Sequence, residues 1–80
     1  MFFVYVLYSE RLTKYYVGST EDIDKRLFAH NTGKAKFTSG GIPWRLVHRE
    51  SFFSRSEAII DERRIKKRGI KRYLQDRGVL

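Results

Sequence analysis

Tyr5, Tyr16, Arg26, His30 and Glu62 are the residues of this 80-residue chain whose types and spacing could serve phosphate chemistry. Arg26 and His30 stand four apart in a helical pattern, so they share a face. A guanidinium is planar, always charged and able to contact two phosphate oxygens at once. An imidazole can move a proton or contact a phosphate, although at a helix end it is also an ordinary cap or surface residue. Glu62 recurs with Ala58 and Ile65 at helical spacing, which sets a carboxylate within an apolar stripe. A carboxylate there is costly without a partner or a metal. Glu62 is therefore either a rim residue paired with an arginine or a metal ligand. The tyrosines are ambiguous in the same way. Large rings are core residues by default, and a phenol that titrates at about pH 10 is a poor base at neutral pH. Only nearby cations or a metal would make it a useful one.

A small set of elements must position these side chains. FFVYVLY, residues 2–8, is aromatic and β-branched without polar alternation, the pattern of a central strand buried on both faces. SERLTK is a polar connection and YYVGS a second strand, so residues 2–19 predict an antiparallel pair. Tyr16 and Gly18 share one face of that strand, and Gly18 leaves the face open to an approaching group. Residues 20–31 predict a helix capped by Ser19 or Thr20, with Glu21, Asp22 and Asp24 at the positive end of its dipole. Ile23 and Leu27 form its apolar pair, and a solvated Asp22–Arg26 pair is the alternative to a free Arg26. GKAKFTSGG, residues 33–41, reads as a basic loop.

The segment after Pro43 predicts a third strand, in which Trp44, Leu46 and His48 alternate with Arg45, Val47 and Arg49. Ser54 and Glu57 make a capping box that opens a helix to about Lys67. Gly69 breaks it, and IKRYLQDR predicts a short last helix. The expected fold is α+β: one domain over residues 1–80, a small three-stranded antiparallel sheet flanked by helices, in the order β-β-α-β-α-α.

Charge narrows the partners. Seventeen Lys+Arg against nine Asp+Glu leave a net +8, an excess that favours a polyanion, with nucleic acid first. Lys14, Lys34, Lys36, Arg63, Lys66 and Lys67 are candidates to track its backbone, and Phe37 or Trp44 to stack on a base. A solvated helix face and a core Trp44 are the structural alternatives. There is no cysteine, which excludes disulfides and cysteine-based zinc sites and suits a reducing compartment. The run MFFVYVLY lacks a basic n-region and a cleavage site and is too short to span a bilayer. A cytoplasmic protein with no membrane partner is expected.

Taken in order, these residues resemble the GIY-YIG nuclease superfamily. Its first signature tripeptide stands here as Phe3-Val4-Tyr5 and its second as Tyr16-Val17-Gly18. The run GST-x-D-x-x-x-R-L-x-x-H-N-x-G-K follows, then Pro43, Leu46-Val47, Phe52, Ser56-Glu57-Ala58 and Glu62-x-x-Ile65-Lys66, which looks like the family's small stand-alone branch. The resemblance covers nearly the whole chain and implies a metal-dependent phosphodiesterase acting on DNA. It implies that Glu62 holds one divalent cation, Mg2+ or Mn2+, and that Arg26 contacts the scissile phosphate. Tyr5 would activate the attacking water, Tyr16 would help position phosphate or water, and His30 occupies a position whose role differs between branches. Two departures stand out: Phe3 replaces the signature glycine, and no asparagine follows Asn31, where longer members carry one after the second helix. The alternative expectation is a catalytically weak or inactive nucleic-acid-binding module of the same fold. A third is a subunit whose basic surface meets an acidic protein.

Overall fold

The computed structural model describes residues 1–80. Its strands are β1 (Phe2–Ser9), β2 (Lys14–Thr20) and β3 (Trp44–Phe52), paired antiparallel in the order β2-β1-β3. The apolar run takes the centre, where both faces are covered and polar alternation would be penalised. Its helices are α1 (Ile23–Asn31), α2 (Arg55–Arg68) and α3 (Ile70–Asp76), and a 3-10 helix, Lys36–Gly41, lies where a loop is predicted. The order β-β-α-β-α-α is the one the sequence predicts.

Alternation along β1 divides the core in two. Val4 and Val6 join Val17, Ala58, Ile65, Tyr73 and Leu74 under α2 and α3. Tyr5 and Leu7 point the other way, to Ile23 of α1 and Trp44, with Leu27 and Tyr16 packed against them. Each fully buried aliphatic side chain, such as Ile65, contributes about 1.5–3 kcal/mol of burial. The sheet is thus the middle layer, and the face that carries Tyr5 is the α1 face.

A bulge redirects β3. Val6 pairs with His48 but Leu7 with Leu46, so Val47 is the extra residue. Trp44 and Leu46 face α1, whereas Val47 joins the core under α2 and α3. His48 turns to the same side, its Nε2 3.2 Å from the Tyr73 hydroxyl. The predicted alternation of Trp44, Leu46 and His48 therefore fails at His48. Beyond the bulge, Arg49 stands opposite Tyr5.

Capping differs from expectation at α1. β2 runs on through Thr20, which pairs with Phe3, so neither Ser19 nor Thr20 caps the helix. Asp22 is the N-cap and accepts from the Lys25 amide at 3.0 Å. The Thr20 hydroxyl braces the turn by accepting from the Asp22 amide at 3.1 Å. Asp22 is engaged as a cap and forms no ion pair with Arg26. The capping box of α2 forms as predicted: the Glu57 amide donates to Ser54 Oγ and the Ser54 amide to Glu57 Oε1, each at 3.2 Å. Gly69 ends α2 at φ +97°, a left-handed conformation that a side chain would strain. No helix is long and apolar enough to cross a membrane.

Candidate active site

Tyr5 is 1% exposed at the centre of β1 and lies directly opposite Gly18 of β2. A Cβ at position 18 would fall 2.6 Å from the Tyr5 hydroxyl oxygen and 2.8 Å from Cζ. Glycine is therefore needed at 18 because the Tyr5 ring lies across it, so that face is filled by the ring and not left open to an approaching group as the sequence suggests. The hydroxyl emerges beside two α1 side chains: His30 Nε2 at 3.0 Å and Arg26 Nε at 3.5 Å. The Tyr16 ring closes the group, edge-on to His30 at a centroid distance of 5.0 Å and 6.4 Å from the Tyr5 ring. The sequence-predicted Tyr5, Tyr16, Arg26 and His30 thus form one cluster.

The proton positions follow from the donor inventory. Arg26 can only donate, so of the two groups at the Tyr5 hydroxyl only His30 Nε2 can accept its hydrogen. In that arrangement His30 carries its own hydrogen on Nδ1, which lies 2.6 Å from Thr38 Oγ1. Thr38 in turn donates to the Ala35 carbonyl at 3.2 Å. Every donor in the chain Arg26, Tyr5, His30, Thr38 and Ala35 has an acceptor. His30 is 1% exposed and Thr38 3% exposed; neither is the surface residue that a helix end and a basic loop suggest.

Thr38 is a site residue that sequence reading missed. The 3-10 helix that carries it is held by Trp44, whose indole Nε1 donates to the Thr38 carbonyl at 2.7 Å. Asn31 joins the same brace: its side chain accepts from the Trp44 amide at 2.6 Å and donates to the Trp44 carbonyl at 2.9 Å. Trp44 is 5% exposed, a strut of the core and not a base-stacking surface. Phe37 is 91% exposed.

The local electrostatics favour neutral Tyr5 and neutral His30. Burial pushes the Tyr5 phenol above its ordinary value; Arg26 pulls it back, and the charges of Tyr16 and Glu62 add to the rise. Burial, and then the Arg26 charge, hold the His30 imidazole below its ordinary value. The Arg26 guanidinium stays protonated, favoured first by its bond to Tyr5.

Glu62 belongs to α2, on the far side of the sheet, yet its charge reaches Tyr5. Its side chain is largely buried and pairs with Lys66 of the next helical turn, Nζ to Oε2 2.9 Å. The partner is thus a lysine, where the sequence reading anticipated an arginine. No three His, Cys, Asp or Glu side chains are grouped to hold a metal. A cation at Glu62 would have one carboxylate, with water and substrate oxygens filling its shell. That donor set fits Mg2+, which keeps several waters and uses one or two carboxylates.

The predicted basic residues separate. Lys14 and Lys66 line one groove. Lys34 lies over the Phe28 ring, 5.9 Å from its centroid. Lys36 opens the 3-10 helix, and Arg63 and Lys67 are exposed on α2.

Comparison with known proteins gives the family. Residues 1–73 match the family described as the GIY-YIG catalytic domain. The chain belongs to the GIY-YIG family, a nuclease family. It is similar to UPF0213 proteins: 51% identical over 53 residues to one from Halobacterium salinarum, covering 65% of this chain and 69% of that one. A UPF0213 protein of Streptococcus pneumoniae is 40% identical over 55 residues, covering 68% of this chain and 56% of its own length. The solution NMR structure of the UPF0213 protein BH0048 from Bacillus halodurans superposes with a TM-score of 0.60 at 34% identity, over 99% of this chain and 85% of that one.

Proposed function

We propose that this chain is a metal-dependent endonuclease domain that hydrolyses phosphodiester bonds in DNA. One observation carries the reading: a buried phenol, Tyr5, shares its hydroxyl between a neutral imidazole and a guanidinium, in space that Gly18 leaves for its ring. Arg26 binds a phosphate oxygen and stabilises negative charge as it grows in the transition state. Tyr5 takes a proton from the attacking water while passing its own to His30 Nε2, and Thr38 holds the resulting imidazolium through Nδ1. In the free protein burial depresses His30, and the Arg26 charge adds to the depression. A phosphate bound to Arg26 offsets that charge and lets His30 accept a proton more readily. Tyr16 orients the phosphate or the water. Glu62 would hold one Mg2+ or Mn2+, which supplies charge stabilisation at the phosphoryl or leaving oxygen when bound. Lys34, Lys36, Arg63, Lys66 and Lys67 serve the nucleic-acid backbone.

The Lys66 bond to Glu62 favours a second reading, a nucleic-acid-binding module with little activity, because the carboxylate is already neutralised. One experiment separates the two. The protein, beside Glu62→Ala and Arg26→Ala, is incubated with branched, nicked and single-stranded DNA plus Mg2+ or Mn2+. Cleavage by the wild type and loss in both variants is the expected result. Cleavage that persists in both belongs to a contaminant and overturns the nuclease reading. Salt-sensitive binding without cleavage supports the binding module, because phosphate contacts release counterions.

A further inference from the structure

On the sheet face away from α1, the β1–β2 turn and the α2–α3 junction border an open groove of about 590 Å³. Its walls carry three ammonium groups, Lys14, Lys66 and Lys71, two rings, Tyr8 and Tyr15, and no carboxylate. The rings are cross-strand neighbours with centroids 4.7 Å apart. Lys14 and Lys71 have no ion-pair partner, while Lys66 reaches out of the groove to Glu62. Cations gathered in one concavity without counter-charge repel each other and attract an anion. The ring wall suits a base or sugar, so the occupant is a nucleic-acid strand and not a bare phosphate.

The groove lies on the opposite face from the Tyr5 cluster, and two of its lysines share elements with site residues. Lys66 follows Glu62 by one helical turn, about 6 Å along α2. Along β2, Lys14 precedes Gly18 by four residues, roughly 14 Å. That distance equals the axial rise of roughly four base pairs of a duplex, at about 3.4 Å each.

We propose that this groove holds the backbone of the DNA strand flanking the scissile phosphate. Lys14, Lys66 and Lys71 contact its phosphates, and Tyr15 lies against a base or sugar. The word scissile rests on the nuclease reading; the groove's affinity for a strand does not.

The test is binding without cleavage. The full chain in EDTA is titrated against a fluorescein-labelled single-stranded DNA oligonucleotide, and anisotropy is followed across a salt series. Lys14→Ala and Lys71→Ala each weaken binding several-fold at low salt. Each also flattens the slope of log K against log salt by about 0.7. Arg72→Ala removes the same charge from the next residue of α3, outside the groove, and leaves the slope unchanged. An equal loss in Arg72→Ala, or no loss in the lysine variants, overturns the proposal. Backbone amide shifts give a second measurement. Shifts at Lys14, Tyr15, Ile70 and Lys71 on adding the oligonucleotide support the groove, and shifts confined to α1 overturn it. Groove binding by a wild type that cleaves nothing rejects the nuclease reading alone. Cleavage with unaltered binding in the lysine variants rejects the groove alone.

Discussion

The Tyr5 hydroxyl lies 3.0 Å from Nε2 of the buried His30, joining the central strand to α1 through a single hydrogen bond. Tyr5→Phe removes that bond and one oxygen and keeps the ring across Gly18. Cleavage is expected to fall by about 10²–10⁴-fold, the usual worth of a positioned acid–base group. DNA binding measured in EDTA stays within about twofold, because Arg26 keeps its charge and becomes free of the phenol. A Tyr5→Phe protein that cuts at wild-type rate would remove Tyr5 from the mechanism.

The second prediction concerns pH. His30 must be neutral to receive the Tyr5 proton, and its folded-state value lies below the ordinary one of about 6.5. Activity therefore has an acid limb below about pH 6.5, set by His30. Stability carries the same sign. A depressed group contributes its stability in full above the unfolded-state value, and that contribution is lost as pH falls toward the folded value. Thermal melts at descending pH should show the loss beginning below about 6.5. In His30→Gln this component disappears. An unchanged acid limb in that variant would place the titration elsewhere.

Gly18→Ala supplies the third. The added methyl would meet the Tyr5 hydroxyl and ring carbon, both inside van der Waals contact. The ring cannot turn aside freely, because its hydroxyl is held by His30 and its faces are packed. Overpacking of this kind costs about 1–3 kcal/mol. A lower melting temperature together with a loss of cleavage is expected. A variant as stable and active as the wild type would show that the ring has room.

The candidate site is readable in the sequence through the ordered resemblance to the GIY-YIG superfamily, because periodicity alone leaves the tyrosines as core rings and His30 as a helix-end cap or surface residue. The capping box fixes the start of α2, and Gly69 fixes its end, from local chemistry alone. What is not readable depends on contacts distant in sequence. Thr38 lies in a segment with no hydrophobic period, and only the Trp44 brace turns it toward His30. The bulge at Val47 is likewise invisible in a strand that reads as continuous alternation, yet it decides the side on which His48 lies. The partner of Glu62 is open because an arginine and a lysine both lie within a helical turn of it.

Fourth, Glu62→Gln should have opposite effects on binding and cleavage. The substitution removes the charge that holds Lys66 at 2.9 Å and frees that ammonium for the groove. Binding to single-stranded DNA in EDTA is expected to tighten several-fold at low salt, and the salt slope to steepen by up to about 0.7. Metal-dependent cleavage is lost with the carboxylate. Binding unchanged in Glu62→Gln would mean that Lys66 contributes nothing to the groove.

The fifth prediction concerns Asp61, a buried carboxylate whose Oδ2 has no hydrogen-bond partner. Burial raises its pKa, and the nearby Glu50 charge adds to the rise, against weaker opposing pulls from Arg64, Arg77 and His48. Glu50 is itself satisfied by the Tyr73 hydroxyl at 2.9 Å and by Arg77 Nη1 at 2.6 Å, so it offers Asp61 only its negative charge. A group whose folded value is raised adds stability fully only below its unfolded value, about 3.9 for aspartate. That contribution is lost as pH rises through the folded value. At neutral pH the ionised Asp61 therefore costs stability. Asp61→Asn has no charge to desolvate and brings two N–H donors near the Glu50 carboxylate. Its melting temperature should exceed the wild type's by a few degrees at pH 7, on a scale of about 4–8 °C per kcal/mol for a domain of this size. The gap should close as pH falls toward about 4, where wild-type Asp61 is itself protonated. Because both proteins keep His30, its acid destabilisation cancels in the difference. A gap that stays constant from pH 7 to about 4 would show that the gain is in packing and that Asp61 is ionised without cost.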